Sequence, residues 1–194
     1  MARRLISEQT GIEPSQIEFG IEHYGKPFVA RPDHAIRPFN VAHTSGLVLC
    51  GLTNHAMPIE SGVQLGVDVE AIDRRTDPAI AERFFSAPEV DHLRRCQGES
   101  HRRLTFLRIW TLKESFIKAI GTGMSTPLAD FAFEQIDSPR PVIRMLSEKL
   151  NVGDDWQFRV FEPRPGFVAA VALSAGKRTP LPELELMSFD EAIQ

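Results

Sequence analysis

The sequence predicts an α+β protein in which strand-like segments flank a helical middle. Three observations carry that reading. Apolar runs at 16–22, 46–52 and 63–70 have strand character. Residues 77–121 hold three successive sets of helix start and stop signals. Strand-like runs then return near 130–136, 155–162 and 166–174. The order hints at two similar halves, each a helix followed by strands.

Each element has a local reason. Residues 2–10 read as helix, with Leu5 and Ile6 apolar and Gly11 as the stop. Gln16 to Glu22 alternates, which puts Ile17, Phe19 and Ile21 on one face of a strand. The proline-rich stretch from Tyr24-Gly25-Lys26-Pro27 to Arg37-Pro38 reads as turns. Gly46–Leu52 and Val63–Glu70 read as strands joined in a long hairpin through Asn54, Pro58, Ser61 and Gly62. Asp77 is an N-cap with Pro78 at the first helical position. Ser86 and Glu89 form a capping box for a helix that runs towards Cys96. A longer helix covers about 100–120 and stops at Gly121-Thr122-Gly123. Pro165-Gly166 turns between the last two strands, and the tail after Lys177 is acidic and interrupted by prolines.

The chain has 194 residues, which suits one domain or two small joined halves. It is 42% hydrophobic with 13 phenylalanines, enough to bury a core, which argues against disorder. A formal charge of −4 offers no general basic field to nucleic acid. Cys50 and Cys96 fit no CxxC pattern and read as reduced structural thiols. No apolar run reaches the roughly 18 residues of a membrane span, and the N-terminus lacks the apolar centre of a signal peptide. A soluble, cytoplasmic protein that needs no membrane or nucleic acid is the expectation.

Three constellations could carry chemistry. On a strand, Leu65-Gly66-Val67-Asp68-Val69-Glu70 sends Gly66, Asp68 and Glu70 to one face. Its two carboxylates stand about 7 Å apart, a spacing a shared hard cation such as Mg²⁺ would relieve. Taken alone, the hexapeptide fits a merely acidic, wet strand face better. In the segment Trp110 to Gly121, helical spacing gathers Trp110, Glu114, Ile117, Lys118 and Gly121 on one broad face. Glu114 and Lys118 could be an ordinary surface pair, or a carboxylate with a phosphate-holding lysine one turn on. His43 reads as a loop residue ahead of a strand, beside Thr44, Ser45 and Gly46, either structural or part of a donor-rich anion site.

Taken in order, these segments resemble the 4′-phosphopantetheinyl transferases of the Sfp type. The matching marks are Gly25-Lys26-Pro27, Phe39 to Thr44, Gly66 to Glu70, and Trp110 to Gly123, supported by Arg83-Phe84-Phe85-Ser86 and by Pro127-Leu128 with Phe131 and Phe133. The resemblance spans about residues 1–174. It implies two similar α+β halves forming a pseudo-dimer, with the active site at their interface. The halves would be residues 1–72, shortened at the start, and 73–176, followed by a tail at 177–194. A single chain holding both halves would act as a monomer.

The activity implied is transfer of the phosphopantetheine arm of coenzyme A to a serine of an apo acyl or peptidyl carrier protein, releasing adenosine 3′,5′-bisphosphate. Carriers of fatty-acid, polyketide or nonribosomal peptide synthesis all fit. The resemblance assigns Asp68, Glu70 and Glu114 to Mg²⁺, with Mn²⁺ as a substitute, and Glu114 also to the base. It gives Lys118 the transferring phosphate. Lys26, Pro27, His43, Thr44 and Lys113 are expected to contact coenzyme A.

Two departures stand out. Relatives carry a basic stretch upstream that helps grip the coenzyme A 3′-phosphate, where this chain offers only Arg3 and Arg4. Ala42 replaces a serine common in the family. Docking of an acidic carrier is expected on the helices between Asp77 and Arg103, near His92-Leu93-Arg94-Arg95 and Arg102-Arg103. Two other readings remain: a non-catalytic relative that binds coenzyme A or carrier, and a Mg²⁺-dependent nuclease or phosphohydrolase.

Overall fold

The structure, a computed structural model, describes residues 1–53, 62–75, 77–150, 152–153, 155–175 and 185–187. Helix α1 (Ala2–Thr10) ends where Gly11 turns left-handed at φ 72°, as its sequence predicts. Strands β1 (Glu18–Ile21) and β2 (Pro27–Arg31) form an antiparallel hairpin, and β3 (Phe39–Thr44) with β4 (Leu47–Leu52) a second. Strand β5 (Gln64–Ala71) follows. Then come helices α2 (Pro78–Phe84), α3 (Ala87–Arg95) and α4 (Glu99–Ile120). The chain continues through β6 (Phe131–Glu134), β7 (Val142–Met145), β8 (Trp156–Phe161) and β9 (Phe167–Ser174).

The helix signals hold in detail. The Asp77 side chain accepts from the Ala79 N–H at 2.9 Å. Ser86 and Glu89 form the capping box of α3, and Gly121 closes α4 in the left-handed region. The strand pairings depart from expectation. Residues 46–52 and 63–70 are not partners in a ladder: β4 pairs with β3, and β5 pairs along its whole length with β9. The predicted connecting residues Asn54, Pro58 and Ser61 lie outside the described residues. Most of the predicted tail does as well.

Three further corrections follow from packing. The 24–38 stretch is not all turn, because β2 begins at Pro27, a strand-start position where no ladder N–H is lost. His43 sits within β3 rather than in a loop. Ile21 does not share a buried face with Ile17 and Phe19, since it is 74% exposed at the turn end of the first hairpin. Strand β7 carried too short a pattern to read, and only its pairing with β6 defines it.

The main sheet has the antiparallel order β5-β9-β8. One face of β5 presents Leu65, Val67 and Val69, the last two packed with Ala42 and Ala169 near the second hairpin. The other face meets α4. There Gly66 has a structural job: a Cβ at this position would lie 2.0 Å from the Ser115 carbonyl oxygen and 2.4 Å from the Ala119 nitrogen. Only a hydrogen lets the helix approach this closely. The alanines of β9, Ala170 and Ala172, keep the same surface low beneath a core built from Leu112, Phe116, Phe131 and Phe158. Helix α4 is therefore central and buried on most sides. A smaller core of Ile6, Ile17, Val29 and Phe39 supports the N-terminal segment.

Candidate functional site

Gly66, Asp68 and Glu70 alternate onto the face of β5 that α4 covers. The wet acidic face that the hexapeptide allowed is thereby excluded, since Asp68 and Glu70 are only 6% and 7% exposed. The close approach at Gly66 brings the helix one turn from these carboxylates. Lys118 Nζ donates to Asp68 Oδ1 at 2.6 Å. Glu70 pairs with Arg74 and accepts from Thr44 Oγ1 at 3.4 Å. Glu114 stands beside them on α4, close enough for its charge to act on Asp68.

This crowding shows in the electrostatics. Burial pushes the Asp68 carboxyl up to about 7, with Lys118 pulling it down and Glu114 and Glu70 adding repulsion. Burial also raises Glu70, against the pull of Arg74, Thr44, Lys118 and Trp110. Glu114 is raised by burial and by Glu70, with Lys118 and Arg74 opposing. A folded pKa of about 7, above the ordinary 3.8, means native Asp68 holds a proton that the unfolded chain releases. The stability this proton gives is full below about pH 4 and is lost as pH rises through about 7. In chelator, urea denaturation should therefore show wild type losing more stability between pH 5 and pH 8 than Asp68→Asn. Parallel curves would remove Asp68 as the source.

The donor set fits a hard divalent cation. It offers three carboxylates, and Asp68 Oδ2 is buried with no hydrogen-bond partner. Among the described residues no three acidic, histidine or cysteine side chains already stand in a metal-binding group; Lys118 pairs with Asp68, and Arg74 with Glu70.

Glu114 and Lys118 open onto a mostly apolar cavity of about 680 Å³. Trp110, Ile117 and Gly121 line it as the helical spacing predicts, and so do Lys26 and Pro27. Asp68 and Glu70 lie behind that lining. His43 and Thr44 are outside it: His43 is exposed on β3, two residues beyond the lining residue Val41, and Thr44 turns to Glu70. A second, more open hollow of about 740 Å³ runs past Ile12, Arg31 and His34, and none of the expected residues borders it.

Lys113, expected to contact coenzyme A, is not among the residues that line the cavity. Its side chain is 0% exposed, turned into the protein interior. Nζ lies 2.8 Å from Glu89 Oε2 and donates to the Leu128 and Phe131 carbonyls at 2.7 and 2.8 Å. Its 100° offset from Glu114 turns it into the core beside the Phe131 ring.

Several residues received no role in the sequence reading. Asn40 is buried and its Oδ1 accepts the Val67 N–H at 2.9 Å, which locks β3 to β5 between Gly66 and Asp68. Arg74, which pairs with Glu70, also stands 5.9 Å over the Trp110 ring. Its i,i+4 spacing from Glu70 was a signal, hidden because Glu70 lies on a strand. Ile80, Arg83 and Phe84 of α2 also line the cavity. The basic run on α3 and α4 is partly compensated: Arg94 pairs with Glu82 and Asp91, and Arg103 with Glu99. Arg3 is held by the Pro14 carbonyl at 3.0 Å and Arg4 by Glu8 at 3.0 Å, and neither lines the cavity.

Fold and site define an α+β protein that sets a carboxylate cluster and a lysine at the edge of an apolar cavity, a donor set suited to phosphate chemistry. Comparison with known proteins makes the class specific. The model of the 4′-phosphopantetheinyl transferase superfamily matches residues 64–172, more than half of the chain. A 4′-phosphopantetheinyl transferase of Bacillus subtilis is 32% identical over 68% of this chain and 54% of its own length. The Sfp transferase of Bacillus subtilis (strain 168) is 28% identical over 100% of this chain and 78% of its own length. Among solved structures, the holo-[acyl-carrier-protein] synthase of Helicobacter pylori, in complex with coenzyme A, is a distant likeness. It is 25% identical, with a TM-score of 0.42 over 57% of this chain and 99% of that one. The chain belongs to the 4′-phosphopantetheinyl transferase superfamily, as its motifs imply. It spans about half the length of the first of these curated relatives.

Proposed function

We propose that this protein transfers the phosphopantetheine arm of coenzyme A to a serine of an apo carrier protein. The observation that carries the reading is the Asp68–Lys118–Glu114 cluster opening on a mostly apolar cavity large enough for a nucleotide-bearing ligand. Asp68, Glu70 and Glu114 are the residues that would hold Mg²⁺ or Mn²⁺. Such a cation, when bound, neutralises charge on the coenzyme A pyrophosphate.

The chain's own residues supply the rest. Glu114, its proton affinity raised by burial, accepts the proton of the carrier serine hydroxyl. The serine oxygen attacks the phosphorus that bears pantetheine, the P–O bond to the adenylyl side breaks, and adenosine 3′,5′-bisphosphate leaves. Lys118, at the cavity wall, stabilises the phosphate charge. The Tyr24–Pro27 turn and Val41 form one wall for the organic body of coenzyme A, and Trp110 and Ile117 another.

In this reading residues 1–72 and 73–176 act as a monomeric pseudo-dimer around the cavity, in the cytoplasm. No helix among the described residues is long and apolar enough to cross a membrane. The test is incubation with coenzyme A, Mg²⁺ and a panel of apo carrier proteins. Mass spectrometry should find one added phosphopantetheine on a carrier. Binding of coenzyme A with no mass shift on any carrier would favour the non-catalytic reading.

A further inference from the structure

We propose that Lys26 is a positioning residue whose ammonium closes the C-terminal end of α4 and so ties the β1–β2 turn to the helix that carries Glu114 and Lys118. Lys26 Nζ donates to the Ala119 carbonyl at 2.6 Å, across 93 residues of sequence. Ala119 lies in the last turn of α4, where carbonyls have no partner within the helix. A cation there also meets the negative end of the helix dipole.

The turn is shaped for this contact. The Glu22 N–H donates to the Lys26 carbonyl at 2.8 Å and the Gly25 N–H to the Glu22 carbonyl at 2.9 Å, with Gly25 at φ 87°. On the helix side Gly121 gives way. A Cβ there would lie 3.0 Å from Glu22 Oε2 and 3.4 Å from Lys26 Cδ, and one on Gly123 would lie 3.8 Å from Tyr24 Cβ. The turn therefore rests on the end of α4 while it lines the cavity. Burial disfavours the Lys26 charge and holds its pKa below the ordinary lysine value, with Glu22 opposing in part.

The consequence concerns Lys118, the residue before Ala119. Holding the Ala119 carbonyl restrains the last turn, and with it the reach of Lys118 to Asp68 and the position of Gly121 in the cavity wall. An ammonium engaged with a backbone carbonyl contributes geometry to the site rather than charge to a bound phosphate.

The kinetic arm of the test rests on the proposed transferase reading, whereas the exchange arm does not. Hydrogen exchange of the ligand-free full chain should show the last turn of α4 exchanging about tenfold faster in Lys26→Met and near wild type in Lys26→Arg. At saturating coenzyme A, kcat of Lys26→Met should fall about tenfold with KM for coenzyme A within about twofold, and Lys26→Arg should restore it. Should Lys26→Met fold poorly, Lys26→Gln carries the same expectation. Unchanged exchange in that turn overturns the proposal, and if KM for coenzyme A alone rises, Lys26 is a ligand contact instead. A wild-type protein with no transferase activity would refute the proposed function and leave the exchange result to decide on Lys26.

Discussion

Glu114→Gln should abolish carrier modification while leaving the fold intact. The substitution keeps the volume of the side chain and its place on α4 between β5 and the cavity. Among the described residues it removes the only carboxylate at the cavity wall, one held above its ordinary proton affinity. General-base catalysis contributes about 10² to 10⁴ in rate, and weakening the carboxylate donor set adds to that loss. Circular dichroism and the melting temperature should stay close to wild type, because the neutral amide escapes the burial penalty on the charge and the repulsion from Glu70, which offsets the lost pull of Lys118 and Arg74. Near-normal turnover would refute the role given to Glu114 and move the proton to another acceptor.

The second large effect is structural and falls on the neighbouring residue. Lys113→Met should destabilise the protein by about 3 to 5 kcal/mol, the cost of leaving one partner of a buried ion pair uncompensated. For a chain of this size that is a fall in melting temperature of roughly 6 to 20 °C. The stranded partner is Glu89, which is 0% exposed. Its Oε2 also accepts from the Ser86 N–H at 3.0 Å and Ser86 Oγ at 2.5 Å, and its Oε1 from the Phe133 N–H at 3.0 Å. Lys113 thus joins the α3 capping box, α4 and β6 through a single ammonium. Adding Glu89→Gln to the methionine variant should recover part of the loss. A variant of wild-type stability with a raised KM for coenzyme A would restore Lys113 to ligand binding.

These two residues show where reading a sequence succeeds and where it stops. Helical spacing put Glu114, Lys118, Trp110, Ile117 and Gly121 on one face, and that face does line the cavity. The same spacing set Lys113 about 100° away, but a helix seen alone does not say whether such a residue meets a ligand or a core. The answer depended on Glu89, which is 24 positions earlier and brought close only by the packing of α3 on α4. His43 was misread for a related reason. Its segment is polar and ends at a glycine, yet Val48 across the ladder makes it a strand.

What the sequence determined by itself was local: helix caps at Asp77, Ser86 and Gly121, the alternation that gathers Gly66, Asp68 and Glu70, and the motifs that mark the family. These depend on neighbours a few residues apart, whose geometry the backbone dictates. Tertiary structure alone decided which strands pair, that β5 is covered on both faces, and that burial lifts Asp68 to about 7. Pairing and burial are set by surfaces brought together from distant parts of the chain. A carboxylate's proton affinity follows the water it loses and the charges it gains, and neither is written beside it in the sequence.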